Sequence, residues 1–369
     1  MASIRTAGLT KNFGDLRAVN EIDLDLPEGG VRVAGHNEEL SLVQAMTYRA
    51  YGAPDVLQLT TVTRPVPESG EVLVQVHAAS LNQADLYLLR GEPWVARLSS
   101  GLRRPKRPTL GADIAGRVVA VGGGVTQFQP GDAVYGDLAA CGFGGFAEYV
   151  CVHEKALAPK PASLSFTQAA TVPMAAVTAL QGLRAAGPVA AGALVLVHGA
   201  SGGVGTFAVQ LAKAMGAHVT AVCSARHVEQ ARTLGAEHVI DYTQEDFTRD
   251  GRRYDLILVV NGRRSLAEYR RALSPRGRLV VVGGDVGTIM QATLLGPVVS
   301  LAHSITVRGL IVHPSRDDLL FVGQLLDSGV VVPVIDRCYP LGELPEAMRY
   351  LGSGHARGKV VITMEQAGQ

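Results

Sequence analysis

The sequence predicts an α/β protein in two parts: a β-rich part that opens and closes the chain, and a doubly wound parallel sheet between. Two observations predict it. Residues 46–80 alternate apolar and polar positions, as in Glu71-Val-Leu-Val-Gln-Val-His77, with Pro65, Pro67 and Gly70 as punctuation. From about Ser165 the pattern changes to short, fully apolar strands separated by helical stretches, which implies a parallel sheet covered on both faces.

In the first part, Gly111–Val121, Asp132–Tyr135 and Phe146–Val152 continue the strand-and-turn character. In the second, the expected strands are Leu194–His198, His218–Cys223, His238–Asp241, Asp255–Val260, Leu279–Val282 and Ile305–Val312. Helices are expected at Val204–Met215, His227–Leu234 and Ser265–Leu273. Six strands with their crossovers suit a doubly wound dinucleotide-binding sheet. After Gly329 short strands return around one helix, Leu344–Leu351, and the chain ends on Gly358-Lys-Val-Val-Ile-Thr363. This tail is expected to rejoin the first part.

The bulk numbers exclude several functions. With 369 residues, 47% hydrophobic and 18% charged, the chain can bury two sizeable cores. A net charge of +1 recommends neither nucleic acid nor an anionic membrane as partner. The basic run Arg103, Arg104, Lys106 and Arg107 reads as a solvated loop. Four scattered cysteines (Cys141, Cys151, Cys223, Cys338) make no disulfide framework and favour a reducing, cytoplasmic setting. No secretory signal is evident at the N-terminus. Three stretches, 161–183, 185–212 and 286–307, lack Asp, Glu, Lys and Arg. Each is interrupted by proline or glycine and reads as strand, turn and helix buried in an α/β domain rather than a membrane span.

The sharpest local signal is Leu194-Val-Leu-Val-His-Gly-Ala-Ser-Gly-Gly-Val-Gly205, which follows a strand and opens a helix. Ala200, Gly202 and Gly205 take the G-x-G-x-x-G positions, with Ser201, Gly203 and Val204 between them. Such a loop lets the backbone approach a pyrophosphate, and the helix N-terminus adds free N–H groups. A nicotinamide dinucleotide is therefore expected. An acid at the end of the second strand would select NAD, but the sequence there is Cys223-Ser-Ala-Arg-His227. Ser224 and Arg226 can bond a 2′-phosphate instead, which favours NADPH. Tyr242, just past His238–Asp241, joins the cofactor-binding candidates. So do Asn261 and Gly283, at strand ends that face the cofactor crevice in open sheets. His198 reads as a satisfied core histidine. Lys359 reads equally well as a residue reaching across the cleft or as a surface lysine.

With these segments in order, residues 46–365 resemble the medium-chain dehydrogenase/reductase superfamily, in its zinc-independent, quinone oxidoreductase-like branch. The motifs that carry the resemblance are Pro130-Gly-Asp132, Gly144-Gly-Phe-Ala-Glu-Tyr149, the glycine loop, Leu234-Gly-Ala236 and Arg357-Gly-Lys-Val-Val361. The resemblance implies a GroES-like catalytic domain at 45–165 and 329–369 around a Rossmann-type domain at 166–328. It also implies a homodimer, with Ile305–Val312 edge strands able to pair. Where the zinc-dependent members carry a metal cysteine this chain has Asn82, and where they carry the histidine ligand it has Ala112. Zinc needs three or four convergent ligands, so metal-assisted alcohol oxidation is not expected.

Without a Lewis acid, a conjugated acceptor such as a quinone or enone is favoured, because its charge spreads onto a distant oxygen. Asn82 and Tyr87, in Leu81-Asn-Gln-Ala-Asp-Leu-Tyr87, are the catalytic candidates. The resemblance implies that Asn82 lies near the nicotinamide ribose or substrate and that Tyr87 lines the pocket. Tyr87 either donates there or packs as an ordinary aromatic; Asp85 reads as structural. Thr178 would touch the nicotinamide from the domain junction if the resemblance holds. Two other readings stand beside this one: an enoyl-thioester reductase, and a non-catalytic NADPH-binding redox sensor. Residues 1–44 do not belong to this pattern. They look like the opening strands of an ABC-transporter ATPase without its phosphate loop, and are expected to be a loosely ordered extension.

Overall fold

The computed structural model describes residues 41–364 except 95–96 and 285, together with the backbone of three N-terminal strands. Two compact units are present, residues 1–43 with 62–64, and 44–61 with 65–369. In the first, β1 (Ile4–Phe13), β2 (Leu16–Leu26) and β3 (Arg32–Ala34) form an antiparallel sheet. The rest of the expected loosely ordered extension lies outside the described residues.

After these three strands come β4 (Leu42–Thr47) and β5 (Gln58–Thr63), mostly in the second unit, then β6 (Glu71–Ser80), α1 (Gln83–Arg90) and α2 (Arg97–Ser100). Next come β7 (Asp113–Val121), β8 (Ala133–Asp137), β9 (Tyr149–His153) and β10 (Leu157–Pro159). Helices α3 (Phe166–Ala170) and α4 (Pro173–Arg184) lead to β11 (Leu194–His198), α5 (Gly203–Ala214), β12 (His218–Cys223), α6 (Val228–Thr233) and β13 (His238–Asp241). Then follow β14 (Tyr254–Val259), α7 (Leu266–Arg271), β15 (Leu273–Val281), α8 (Val286–His303) and β16 (Thr306–Gly309). The chain closes with α9 (Arg316–Asp327), β17 (Ile335–Pro340), α10 (Leu344–Gly352) and β18 (Lys359–Thr363).

Strands β13-β12-β11-β14-β15-β16 form a six-stranded sheet, parallel throughout. Its order reverses between β11 and β14, and in such sheets the ligand crevice opens at the carboxyl ends of the strands on either side of that point. Strand β15 starts earlier than its apolar run suggests, because Leu273 already pairs with Tyr254 ahead of a register shift. Strand β16 stops at Gly309, where its partner β15 ends at Val281. The third uncharged stretch departs from the buried reading. It folds as α8 and exposes Met290, Leu294, Leu295, Val298 and Leu301. No helix among the described residues is long and apolar enough to cross a membrane.

The other sheet runs β10-β8-β7-β6-β18-β17, with β9 also on β6. Its central strand β6 accepts the chain's last strand: β18 pairs antiparallel with it, Val361 opposite Ser80, and Leu81 N–H bonds Val360 O at 2.9 Å. The C-terminal tail thereby lands beside residues 81–82. Helix α4 packs on strands of both sheets, β7 and β8 on one and β14 and β15 on the other. One buried apolar cluster accordingly runs from Val195, Leu258 and Val280 through Leu180 to Tyr135 and Val361.

Candidate active site

The glycine loop joins β11 to α5. Gly202 is the N-cap of α5, with no side-chain cap on the helix, so the first N–H groups stay available to an anion. A Cβ on Gly202 would meet nothing nearer than 4.0 Å, which leaves the backbone open to close approach. On Gly205 it would lie 2.1 Å from Gly199 O, so only glycine lets the helix start this close to the strand. The loop thus fits a pyrophosphate. Asn261 meets it from β14, its N–H donating to His198 O at 3.1 Å. Gly283 follows β15 and packs on β14: a Cβ there would lie 2.3 Å from Val260 O.

Ser224 and Arg226 sit beyond β12, half-buried and exposed respectively. Tyr242 is brought to them by its N–H bond to Cys223 O at 3.1 Å. Two neighbours were not legible in the sequence. His227 is buried, with an Nδ1 that has no partner among the described residues. Burial, then the cations of Arg357 and Arg226, hold it below its ordinary pKa. Gln230 Nε2 donates to Arg357 O at 3.0 Å, tethering the C-terminal segment to this end of the crevice.

On the opposite wall, Asn82 is the N-cap of α1, and its N–H donates to Asp85 Oδ2 at 2.8 Å. Asp85 Oδ1 accepts from Gly111 N–H at 3.2 Å, so this acid joins two loops, as its structural reading implied. Asp113 is fully buried and gathers four donors. Its Oδ2 accepts from Ser80 Oγ (3.0 Å), Asn82 Nδ2 (2.9 Å) and Lys359 Nζ (3.2 Å). Its Oδ1 accepts from Met174 N–H at 2.8 Å, in the first turn of α4. The N-cap of α4 is Val172, which cannot cap, so a carboxylate from another strand does so.

Lys359 reaches across the cleft: it is 3% exposed and donates also to Asn82 Oδ1 (2.7 Å) and Leu81 O (2.9 Å). Its stem lies on the glycine loop, where a Cβ on Gly203 would fall 2.6 Å from Lys359 Cδ. Thr178 is buried in the second turn of α4. Tyr87 Oη donates across the cleft to Gly284 O at a long 3.4 Å, next to Gly283. The sequence candidates therefore fall into two groups, one around the glycine loop and one around Asn82, with Ser224, Arg226 and Tyr242 farther along the crevice.

Two family models match the chain: an alcohol dehydrogenase GroES-like domain at residues 68–162 and a zinc-binding dehydrogenase at 234–362. The chain is 34% identical to a chloroplast envelope quinone oxidoreductase homolog of Arabidopsis thaliana, over 87% of this chain and 98% of that one. It is 35% identical to a 2-methylene-furan-3-one reductase of Solanum lycopersicum, over 87% and 79%. The structure of Escherichia coli quinone oxidoreductase complexed with NADPH superposes with a TM-score of 0.76 at 26% identity, covering 87% and 99%. The chain belongs to the medium-chain dehydrogenase/reductase superfamily.

Within that superfamily it falls in the quinone oxidoreductase branch and is an oxidoreductase that uses a nicotinamide cofactor. The second family model is named for zinc, yet the Asn82 wall does not fit that ion. Asn82 and Ala112 stand where the resemblance to zinc-dependent members implies two ligands, and the Lys359 ammonium lies against Asn82 Oδ1. Among the described residues no group of three or more His, Cys, Asp or Glu could hold a metal. Burial pushes Asp85 up to about 7, its bond from Asn82 N–H opposing and Asp113 adding. Asp137, across from Asp113 on β8, is raised by burial and then by the same neighbour. His198 is a core histidine as expected, held down to about 4 by burial and bonded through Nδ1 to Tyr269 Oη at 2.9 Å.

Proposed function

We propose that this enzyme transfers hydride from NADPH to a quinone or another α,β-unsaturated carbonyl compound, without zinc. The observation that carries this reading is the Asn82 wall. It supplies hydrogen-bond donors and a lysine ammonium beside the cleft where a metal-dependent relative would need ligands. Bound NADPH would supply the hydride. This chain's residues hold the reactants, exclude water and stabilise the oxygen on which charge develops. Asn82 Nδ2 uses one N–H on Asp113 and keeps the other for that oxygen. Tyr87 is the second donor in this reading: its 3.4 Å bond to Gly284 O is weak enough to exchange for an oxyanion. Thr178 and Asn261 would flank the nicotinamide end, residues 200–205 the pyrophosphate, and Gly283 the crevice floor.

The preference for NADPH is supported by the end of β12, where Ser224 and Arg226 stand with no acid before Glu229. The Escherichia coli relative was solved with NADPH. The names of the Arabidopsis and tomato relatives support quinone and enone acceptors. The domain limits 45–165 with 329–369, and 166–328, belong to the same proposal. So does a homodimer built on the edge strand β16 and the exposed apolar residues of α8. The absence of a disulfide among the described residues' four cysteines supports a cytoplasmic setting.

The test is purified protein with NADPH or NADH and a panel of quinones and enones, followed by loss of reduced-cofactor absorbance. Turnover with NADPH preferred is the expected result. NADPH bound tightly but consumed with no acceptor would overturn the proposal and move the assignment to the sensor or the thioester reductase.

A further inference from the structure

Asn82 can help an oxyanion only if its amide turns nitrogen, not oxygen, toward it. An asparagine side chain is nearly symmetric in shape, so packing alone does not choose. Here two charged groups choose. The Lys359 ammonium lies 2.7 Å from Oδ1 and the Asp113 carboxylate 2.9 Å from Nδ2. A flipped amide would set N–H against ammonium and oxygen against carboxylate, and both contacts would repel. Both charges are buried, Lys359 at 3% and Asp113 at 0% exposure, so water does not screen them.

We infer that Lys359 is a positioning residue: its ammonium locks the Asn82 amide with N–H toward the cleft, and its stem ties that lock to the cofactor loop. The tie is the close approach at Gly203, with Lys359 Cδ at 2.6 Å from a Cβ that glycine lacks. Two residues before Lys359, Arg357 O accepts from Gln230 Nε2, which ties the segment leading into β18 to the region of Arg226 as well. Asp113 completes the lock and, through Met174 N–H, holds the helix that carries Thr178. This inference rests on the proposed reaction for its purpose, but not for its geometry.

Lys359→Met keeps the stem and removes the charge, but leaves Asp113 buried without its cation and can fail to fold. The paired variant Lys359→Met with Asp113→Asn restores neutrality and is the decisive protein. It is expected to bind NADPH within about 3-fold of the parent while kcat falls about 10- to 100-fold, somewhat less than full loss of an oxyanion donor. Turnover within about 2-fold of the parent would overturn the inference. So would an NADPH Kd that rises in step with the loss of kcat/KM, since the lysine would then serve cofactor binding alone.

A second readout does not need turnover. The Asn82 side-chain amide signals in a nitrogen-15 NMR spectrum, assigned by their loss in Asn82→Asp, should be exchange-protected in the parent. In the paired variant they should broaden or lose protection. Unchanged signals would overturn the inference even if no acceptor is ever reduced, whereas a parent that reduces nothing but keeps locked signals would sink only the proposed reaction.

Discussion

In the loop from Gly199 to Gly205 every position is set by backbone: a strand, a turn that tolerates no Cβ at Gly205, and the uncapped start of α5. In the cluster around Asn82 position is set by side chains brought from three distant segments, at Ser80–Asp85, Asp113 and Lys359, with the backbone N–H of Met174 from a fourth. The loop would hold its ligand by groups that every residue possesses. The cluster acts through groups that particular residues possess, buried where each must be paired. The difference teaches where each wall is fragile. A small added atom breaks the loop, whereas a lost charge breaks the cluster.

The largest effect should follow from Asp113→Leu. It keeps the γ-branched shape but strands the Lys359 ammonium at 3% exposure and removes the cap of α4. Removing one partner of a buried ion pair costs about 3–5 kcal/mol, which urea unfolding would report. A cost below about 1 kcal/mol, the level of an exposed pair, would break the comparison, because the cluster would then not depend on charge. Next comes Gly205→Ala, whose single methyl carbon would sit 2.1 Å from Gly199 O. Overpacking of this kind costs about 1–3 kcal/mol, and the NADPH titration should weaken together with the thermal melt. Unchanged NADPH affinity would show that the loop can yield where rigid backbone is claimed.

The same contrast explains how much was legible in the sequence. The glycine loop, the six strands and the split chain could be read because backbone constraints leave local patterns: glycines at fixed spacing and apolar runs of strand length. Asn82 was found through its place in a motif, and Asp85 was read as structural for the same reason. Asp113 drew no reading of its own, and Lys359 stood open between cleft and surface. Both roles depend on β18 pairing with β6, a contact between residues 278 positions apart for Leu81 and Lys359. No local window contains it. The exposed face of α8 was misread because freedom from charge does not by itself require burial within the same chain.

Arg226→Ala sharpens the comparison at the far end of the crevice, where the proposed NADPH preference would rest on side-chain charge. Removing one guanidinium from a 2′-phosphate should raise the Michaelis constant for NADPH about 10-fold and leave that for NADH unchanged. Steady-state kinetics with both cofactors would read it. An equal effect on the two would mean that Arg226 only decorates the start of α6.

The smallest effect concerns the acids near the cluster. Asp137, 7% exposed, is raised by burial and by Asp113. A carboxyl raised in the folded state keeps its proton while the unfolded chain has lost it, so folding stability falls as pH climbs from about 4 toward 7. The buried histidines, His198 above all, act in the opposite sense over much of this window, because their folded pKa values are lowered. The acid's part must therefore be read from a variant rather than from the raw curve. Asp137→Asn should gain on the parent by about 1 kcal/mol per pH unit from pH 5 toward 7 and level off by about pH 8, followed by urea midpoints. A constant difference across that range would mean that Asp137 ionises as freely in the fold as outside it, and that the cluster's field does not reach β8.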